Sequence, residues 1–193
     1  MRIAHLILSD GFAGSERSTI ESCNFQCREH EVLLVVRRGH RSRAGASIVD
    51  HVAPRVRVAV VPDRLGTRKA LARELAMFGP DVVHAHLRRS TRLLAQIRPD
   101  AAKFTTLHLR INGPQFLEMD AIVCISPWQP GSVPASFRGE APYIRNSLVP
   151  NRRLSAAEVA ALRAELGVAP GDFLVGGVGH LARSKGWDTL VEA

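Results

Sequence analysis

The N-terminal sequence reads Ile3-Ala4-His5-Leu6-Ile7-Leu8, then Gly11-Phe12-Ala13-Gly14-Ser15-Glu16, and continues to Val32-Leu33-Leu34-Val35-Val36. The two apolar runs are short and uninterrupted, which is typical of strands buried on both faces. The glycine-containing stretch between them predicts a tight loop that opens a helix from about residue 15 to residue 30, with Ser15 as its N-cap. The chain therefore begins as strand, loop, helix and strand.

The same alternation continues along the chain. Further strands are predicted over residues 56–61, 81–86, 104–108 and 121–125, with helices over residues 67–78 and from residue 87 to about residue 97. Apolar strands separated by helices indicate a parallel sheet with helices on both faces. The predicted fold class is α/β, a Rossmann-like doubly wound parallel sheet.

The strand and helix pattern lapses between residues 127 and 151, where prolines and glycines accumulate. We interpret residues 1–126 as one domain and residues 127–151 as an interdomain connection. Residues 152–193 then begin a second domain, with a helix over residues 155–166 that starts at a Ser155–Glu158 capping box. A strand over residues 173–178 and a helix opening at Lys185 follow. We expect this second domain to be incomplete, since so few elements cannot close a core.

The chain carries 26 Lys and Arg against 18 Asp and Glu, a formal net charge of +8. Arginine supplies nearly all of this positive charge, and its planar guanidinium suits phosphates and carboxylates. Aromatic residues are sparse and no nucleic-acid-binding signature accompanies the basic residues, so nucleic acid is the least favoured partner. A phosphorylated small ligand and an anionic membrane surface both stay open. Residues 37–43 are the candidate for the membrane contact, and a solvated loop is the favoured interpretation of that basic run.

Three cysteines, Cys23, Cys27 and Cys124, make an odd count that favours buried thiols in a reducing compartment. No apolar run approaches the roughly 20 residues of a membrane-spanning helix. The apolar start is cut by Ser9-Asp10-Gly11 and lacks a small-residue cleavage site, so it predicts a strand and not a signal peptide. We expect a cytoplasmic protein, with peripheral contact at the inner face of the membrane as an option.

Chemistry-bearing residues follow the predicted strands, where open parallel sheets bind their ligands. The loop of Gly11 and Gly14 could bring backbone N–H groups close to an anion, and a plain turn without a ligand is an equally favoured interpretation. His86 and His108 end two strands and are predicted to line a polar cleft. A zinc site of His84, His86 and His108 is a less favoured alternative, because the sequence does not place the carboxylates that would hydrogen-bond and orient these histidines.

A second glycine-rich stretch, Gly177-Val178-Gly179-His180-Leu181-Ala182, fits a variant of the dinucleotide fingerprint. It continues into Arg183-Ser184-Lys185-Gly186, where that fingerprint would already be helical. We therefore interpret it as a phosphate-binding loop with basic side chains. No Walker-type sequence is present, so nucleotide triphosphate hydrolysis has no support.

The order of these motifs resembles the large family of retaining glycosyltransferases of the GT-B type, which includes bacterial glycogen synthases, sucrose synthases and phosphatidylinositol mannosyltransferases. The resemblance covers nearly the whole chain. It rests on the loop at residues 11–16 and on the stretches at residues 81–86, 106–108, 120–126, 144–147 and 178–186. The family has two Rossmann-like domains facing across a cleft, the first binding the acceptor and the second the sugar nucleotide.

The resemblance implies a role for each candidate residue. His108 would lie near the transferred sugar as the catalytic candidate. The donor phosphates would contact Gly11, Gly14, His180, Arg183 and Lys185. The acceptor side of the cleft would include Ser15, Glu16, His86, Ser126 and Asn146. No metal or other cofactor is implied; the donor substrate is a nucleotide-diphosphate sugar, and the acceptor a glycan or a lipid-linked molecule.

Two departures from the family pattern matter. His180 stands where the family usually has arginine, and Arg183 is a candidate replacement. The paired glutamates that bind the donor in the family are not in this sequence, so we expect the 193-residue chain alone to show no turnover. The alternative function is a non-catalytic Rossmann-like module that binds a phosphorylated or nucleotide ligand.

Overall fold

The computed structural model describes residues 1–41, 47–146, 151–179 and 181–192, with the side chain of Arg41 left aside. The chain divides into two compact units, Met1–Val149 and Pro150–Ala193, which are described separately. No helix in the described part of the chain is long and apolar enough to cross a membrane.

The first unit is built on six parallel strands. They are β1 (Arg2–Ile7), β2 (Glu31–Arg37), β3 (Arg57–Val61), β4 (Val82–His86), β5 (Ala102–Leu107) and β6 (Ala121–Cys124). Their order in the sheet is β3-β2-β1-β4-β5-β6. Successive strands are therefore added on one side of β1 as far as β3, and then on its other side from β4 to β6. This change in the direction of strand addition is the arrangement of a doubly wound α/β fold. The predicted fold class is confirmed.

Three helices cover the sheet, α1 (Gly14–Gln26), α2 (Thr67–Phe78) and α3 (Leu87–Ile97). Short 3-10 helices lie at Arg38–Arg41, Ile48–His51, Pro114–Glu118 and Pro130–Ser132. The bounds of α2 match the prediction, and Gly79 ends it in the left-handed conformation at φ 60°.

Alternate residues of the central strands pack into two separate cores, one on each face. On one face α1 packs its Ile20 and Cys23 against residues that include Leu34 of β2. On the other face α2 and α3 pack against residues that include Leu33 of the same strand. Because successive strand residues point to opposite faces, this division requires strands that are apolar throughout. All three cysteines are buried free thiols, as predicted.

The prediction for α1 was wrong at both ends. Ala13, not Ser15, is the N-cap residue, and the helix ends at Gln26 instead of residue 30. Cys27 begins a turn, because the chain must reverse before Glu31 N–H can bond the carbonyl of Met1 at 3.1 Å and start β2. No glycine or proline marks this turn in the sequence.

Residues 140–144 pair with β6 along the edge of the sheet. Ile122 N–H donates to Glu140 O at 2.8 Å, Cys124 N–H donates to Pro142 O at 2.9 Å, and Ile144 N–H returns a bond to Cys124 O at 2.8 Å. This part of the predicted connection, residues 127–151, thus contacts the sheet of the first unit.

The second unit contains α4 (Ala156–Glu165) and α5 (Trp187–Glu192), with a short 3-10 helix at Arg183–Lys185. The predicted capping box is confirmed, since Ser155 Oγ accepts from Glu158 N–H at 3.3 Å and Ser155 N–H donates to the Glu158 carboxylate at 2.8 Å. The strand predicted over residues 173–178 is wrong. Those residues form no strand, since the described part of this unit offers no other strand with which to pair. The helix predicted to open at Lys185 begins two residues later, at Trp187.

Candidate functional site

The glycine loop, residues 11–16, leaves the carboxyl end of β1 and enters α1 at Gly14. A methyl group added to the Cα of Gly11 or Gly14 would meet no atom within 4 Å. Packing within the protein therefore does not demand glycine at these two positions. The first N–H groups of a helix have no partner within the helix, and the open backbone at the start of this 13-residue helix leaves room there for an anion.

Glu16 holds the glycine loop in place from beneath. Its buried carboxylate accepts hydrogen bonds from Ala13 N–H at 3.0 Å, from Ser15 Oγ at 2.8 Å and from Ser9 Oγ. Burial raises the pKa of this carboxyl, but the hydrogen bonds from Ser9, Ser15 and the backbone outweigh it, so the pKa lies below its usual value. Two residues predicted for the acceptor side, Ser15 and Glu16, thus bond each other.

We expect Glu16→Gln to lower the free energy of unfolding by about 1–3 kcal/mol, because one amide oxygen cannot accept the three bonds that the carboxylate accepts. Urea unfolding followed by circular dichroism measures this loss. Glu21→Gln is the matched control on the same helix, where Glu21 pairs only with the exposed Arg17 at 3.1 Å, and it should cost about 0–1 kcal/mol. Equal losses in the two variants would contradict this role of Glu16.

Three histidines on adjacent strands form a stack beside the glycine loop, on the α1 face of the sheet. His5 of β1 lies directly opposite His84 of β4, and His86 is two residues further along the same face. Ring centroids are 5.2 Å apart for His5 and His84, 5.4 Å for His5 and His86, and 4.4 Å for His84 and His86. Strand register thus gathers side chains that are about 80 residues apart in sequence.

Hydrogen bonds fix the proton positions in this histidine stack. His5 Nε2 donates to Gln26 Oε1 at 2.7 Å, so neutral His5 accepts at Nδ1 from His86 Nε2 at 3.1 Å. His86 Nδ1 then carries no proton, and it is a buried nitrogen without a hydrogen-bond partner in the described chain. His84 Nε2 bonds Thr106 Oγ1 at 2.8 Å.

Burial keeps the stacked histidines neutral. It lowers the pKa of His84 and His86 well below the usual value, and the neighbouring histidines lower both further. Burial also lowers the pKa of His5, although the hydrogen bond with Gln26 opposes this shift. At neutral pH the stack is therefore uncharged and acts through hydrogen bonds.

The same stack is the set of side chains best placed to hold a metal ion. Ligand nitrogens of His5, His84 and His86 all lie within 4.8 Å of one another. Zinc bound at roughly 2.0–2.1 Å from each nitrogen would have to replace the His5–His86 hydrogen bond. The zinc site considered in the sequence analysis had His108 as its third ligand and did not include His5. His5 lies close to His84 and His86 because of the register between β1 and β4.

His108 follows β5 and lies at the same edge of the sheet, with its ring centroid 5.8 Å from that of His86. Burial lowers its pKa, and the negative charge of Glu16 partly offsets this effect. Its Nε2 is buried and lacks a hydrogen-bond partner among the described residues.

A cavity of about 290 Å³ opens beside the stack on the same face, between α1 and the sheet. Of the residues predicted for the acceptor side, His86 and Asn146 line it, and Ser18 Oγ bonds Asn146 Oδ1 across it at 3.3 Å. Ser126, Ser15 and Glu16 do not line this cavity. The cavity also includes Ser22, Gln26, Thr106 and Arg145, which sequence reasoning did not identify.

Gln129 is a structural residue of the site that sequence reasoning also missed. Its buried amide accepts from the N–H groups of Ile125 and Ser126, at 2.7 and 3.0 Å, and donates to the carbonyls of Leu107 and Leu109. It therefore ties the end of β6 to the segment that carries His108. No sequence motif marked it, because its partners come from two separate loops.

The remaining predicted phosphate ligands belong to the second unit. Arg183 and Lys185 lie exposed in the short 3-10 helix that ends at Gly186 in the left-handed conformation, φ 67°. His180 lies outside the described residues.

Comparison with known proteins supports the fold. No family model matches this chain, and no curated protein matches it by sequence. Among solved structures, the chain is similar to Anabaena HepE in complex with UDP and glucose, with a TM-score of 0.71 and 18% identity over 100% of this chain and 57% of that one. Sucrose-phosphate synthase from Thermosynechococcus elongatus gives a TM-score of 0.69 and 16% identity, covering 100% of this chain and 59% of that one. A glycosyltransferase from Rickettsia africae gives 0.64 and 15%, covering 88% and 50%.

These neighbours are GT-B glycosyltransferases, so the chain has a fold found in that class of enzyme. It spans less than three fifths of the length of HepE.

Proposed function

We propose that this chain forms the acceptor-side part of a glycosyltransferase that moves a sugar from a nucleotide-diphosphate donor to a glycan or lipid-linked acceptor. The observation that carries the proposal is the shared position of the glycine loop and His108. Both lie at the carboxyl edge of the sheet, since the glycine loop follows β1 and His108 follows β5. Open α/β sheets bind ligands at this edge. HepE, of similar fold, was solved with UDP and glucose, which supports a nucleotide-sugar ligand.

In the proposed reaction the leaving group is a nucleotide diphosphate, on which negative charge grows as the glycosidic bond breaks. The N-terminus of α1 at Gly14 would stabilise that charge through its N–H groups and helix dipole. Gly11 lies in the same open loop. His180, Arg183 and Lys185 are the further ligands of the diphosphate that the family resemblance implies. A neutral His108 would hydrogen-bond the transferred sugar.

The finer points of the proposal follow the family resemblance. The transfer would retain anomeric configuration and need no metal at the diphosphate. Ser15, Glu16, His86, Ser126 and Asn146 would form or support the acceptor side of the cleft. The enzyme would act in the cytoplasm or at the inner face of the membrane, in cell-envelope polysaccharide synthesis. We expect no turnover by the 193-residue chain alone.

Titration of the isotope-labelled chain with UDP-glucose, followed by nuclear magnetic resonance, tests the proposal. We expect amide shifts in residues 11–16 and residues 183–185, and no released UDP. Shifts confined to other parts of the chain would contradict the proposed donor contacts. Equal shifts with AMP and with UDP-glucose would favour a non-catalytic nucleotide-binding module, and measurable UDP release would contradict the expected inactivity.

Gly14→Ala tests the close approach of the diphosphate. The added methyl group meets no protein atom within 4 Å and lies at the start of a helix, so we expect stability to stay within about 1 kcal/mol of the parent. The methyl group would stand between the helix N-terminus and the phosphates, and we expect UDP to bind about fivefold more weakly or worse. Gly131→Ala, at an equally open glycine outside the loop, should leave UDP binding unchanged.

A further inference from the structure

A second ligand cleft lies on the opposite face of the sheet from the histidine stack, where the loop after β3 enters α2. We call it the basic cleft. Its volume is about 580 Å³, and it is lined by residues 63–69 together with Arg89, Arg92 and Leu93 of α3. Five of these side chains are cationic: Arg64, Arg68, Lys69, Arg89 and Arg92. The cleft opens at the carboxyl ends of β3 and β4, the edge of the sheet where this fold binds ligands.

Most of this positive charge has no counter-charge among the residues that the structure describes. Within residues 1–41, 47–146, 151–179 and 181–192, the side chains of Arg64, Arg68, Lys69 and Arg92 form no hydrogen bond or ion pair. Asp63 is the one acidic residue that lines the cleft, and it is already engaged. Its carboxylate accepts from Arg37 Nε at 3.0 Å and from Gly39 N–H at 3.2 Å.

Arg89 is fixed in position without a contact to the Asp63 carboxylate. Its guanidinium donates to the backbone carbonyl of Asp63, so a neutral acceptor holds it. Burial lowers the pKa of Arg89, and the like charge of Arg37 lowers it further, although Asp10 and Asp63 oppose these shifts. A half-buried arginine so anchored presents its remaining N–H groups in a fixed direction, which suits the oxygens of a phosphoryl group.

The dipoles of two helices add to the positive potential of the basic cleft. The positive ends of α2 and α3 adjoin the cleft, and neither helix has an acidic residue in its first turn. Arg68 and Lys69 occupy the first turn of α2, and Arg89 the first turn of α3. Cations at helix N-termini are electrostatically unfavourable in the absence of an anion. Two such helices at one cleft therefore form a surface that binding of an anion would stabilise.

From this arrangement we propose that the basic cleft binds a phosphoryl group of a ligand other than the sugar-nucleotide donor. The donor diphosphate is assigned to the glycine loop at β1, whereas the basic cleft is built from the loop after β3 and from α2 and α3. This inference rests on the proposed function in one respect: the ligand is then the acceptor, and the acceptor carries a phosphate or diphosphate. Bidentate arginines and the volume of the cleft fit a phosphate monoester or a diphosphate.

The test measures binding of inorganic pyrophosphate to the whole chain by isothermal titration calorimetry at low and high salt. The variant is Arg68→Gln with Arg92→Gln, both exposed side chains of the cleft. Arg73→Gln with Arg98→Gln is the matched control, since it removes the same charge from α2 and from the end of α3 outside the cleft. We expect at least a tenfold weaker affinity in the cleft variant and less than a twofold change in the control. Similar losses in the two double variants would reduce the effect to net charge and overturn the proposal.

A second arm replaces pyrophosphate with vesicles that contain phosphatidylglycerol, followed by flotation. Loss of binding by the cleft variant in both arms assigns the cleft to a lipid-borne phosphoryl group, and loss in the pyrophosphate arm alone assigns it to a soluble ligand. Unchanged binding in both arms overturns the proposal. Titration of the same variants with UDP, followed by nuclear magnetic resonance, separates the donor site from the basic cleft. If the amide shifts in residues 11–16 persist in the cleft variant, the proposed donor site stands independently of the result for the basic cleft.

Discussion

Acidification from pH 7.5 to pH 5.5 is expected to lower the free energy of unfolding by about 3–4 kcal/mol, through the histidine stack alone. His5 and His86 are buried and His84 is half-buried, and burial lowers the pKa of each below the usual 6.5. In the unfolded chain each would bind a proton below about pH 6.5. Unfolding therefore takes up protons in this range, and acid favours the unfolded state.

The direction of the pKa shifts determines the sign of this effect and the pH range in which it appears. A histidine held neutral by burial gives its full contribution above pH 6.5, and that contribution falls by about 1.4 kcal/mol for each pH unit below it until the folded protein also binds the proton. Glu16 and Glu158 have pKa values below their usual range, so their contributions are lost only at lower pH, near and below about 4.5. The two effects are thus separated on the pH axis.

Urea unfolding at pH 7.5, 6.5 and 5.5, at constant ionic strength and with a chelator present, measures the loss. His84→Gln should reduce the pH dependence by about 1.4 kcal/mol, the contribution of one histidine. His51→Gln, at an exposed histidine that stacks on Phe12 outside the histidine stack, is the matched control for the loss of one imidazole. A total loss below about 1.4 kcal/mol in the parent protein would contradict a neutral buried stack.

The order of elements could be predicted because each strand of the first unit carries its own signal. Buried strands such as β2 are continuous apolar runs, and α2 is bounded by glycines that adopt positive φ, 78° at Gly66 and 60° at Gly79. Where no such residue exists, as at the end of α1, the predicted boundary was wrong. The apolar run at residues 173–178 shows that an apolar run alone does not predict a strand. A strand also needs a neighbouring strand to pair with, and the run itself does not indicate one.

The candidate site was predictable only as far as strand ends are predictable. His86 and His108 were placed together because both were predicted to end strands, and the structure puts their rings 5.8 Å apart. The partnership of His5 with them was not predictable, since it depends on the register that sets His5 beside His84. The basic cleft is a similar case. Its cations come from the loop after β3 and from α2 and α3, and no local sequence pattern shows that these elements pack together.

Gly139→Ala is expected to destabilise the first unit by about 2–3 kcal/mol through a steric clash with backbone. A methyl group on Gly139 would overlap the carbonyl oxygen of Asp120, and it would lie 2.8 Å from the carbon of that carbonyl. The same oxygen accepts from Glu140 N–H at 3.0 Å, so the clash falls on the pairing of residues 140–144 with β6. Backbone atoms held by the sheet cannot move aside as the end of a flexible side chain can.

The local consequence of this clash can be separated from the global one. Amide hydrogen exchange in Gly139→Ala should accelerate at Ile122, Cys124 and Ile144, whose N–H groups make the edge pairing, before it changes in β1 or β2. Gly131→Ala lies in the same segment of chain and meets no atom within 4 Å, so its stability should stay within about 0.5 kcal/mol of the parent. Because Asn146 lies two residues beyond the paired residues and lines the cavity beside His86, loss of the pairing should also loosen that wall of the cavity. If Gly139→Ala matched Gly131→Ala in stability and in exchange, residues 140–144 would not be held by β6, and Asn146 would have no fixed place beside the histidine stack.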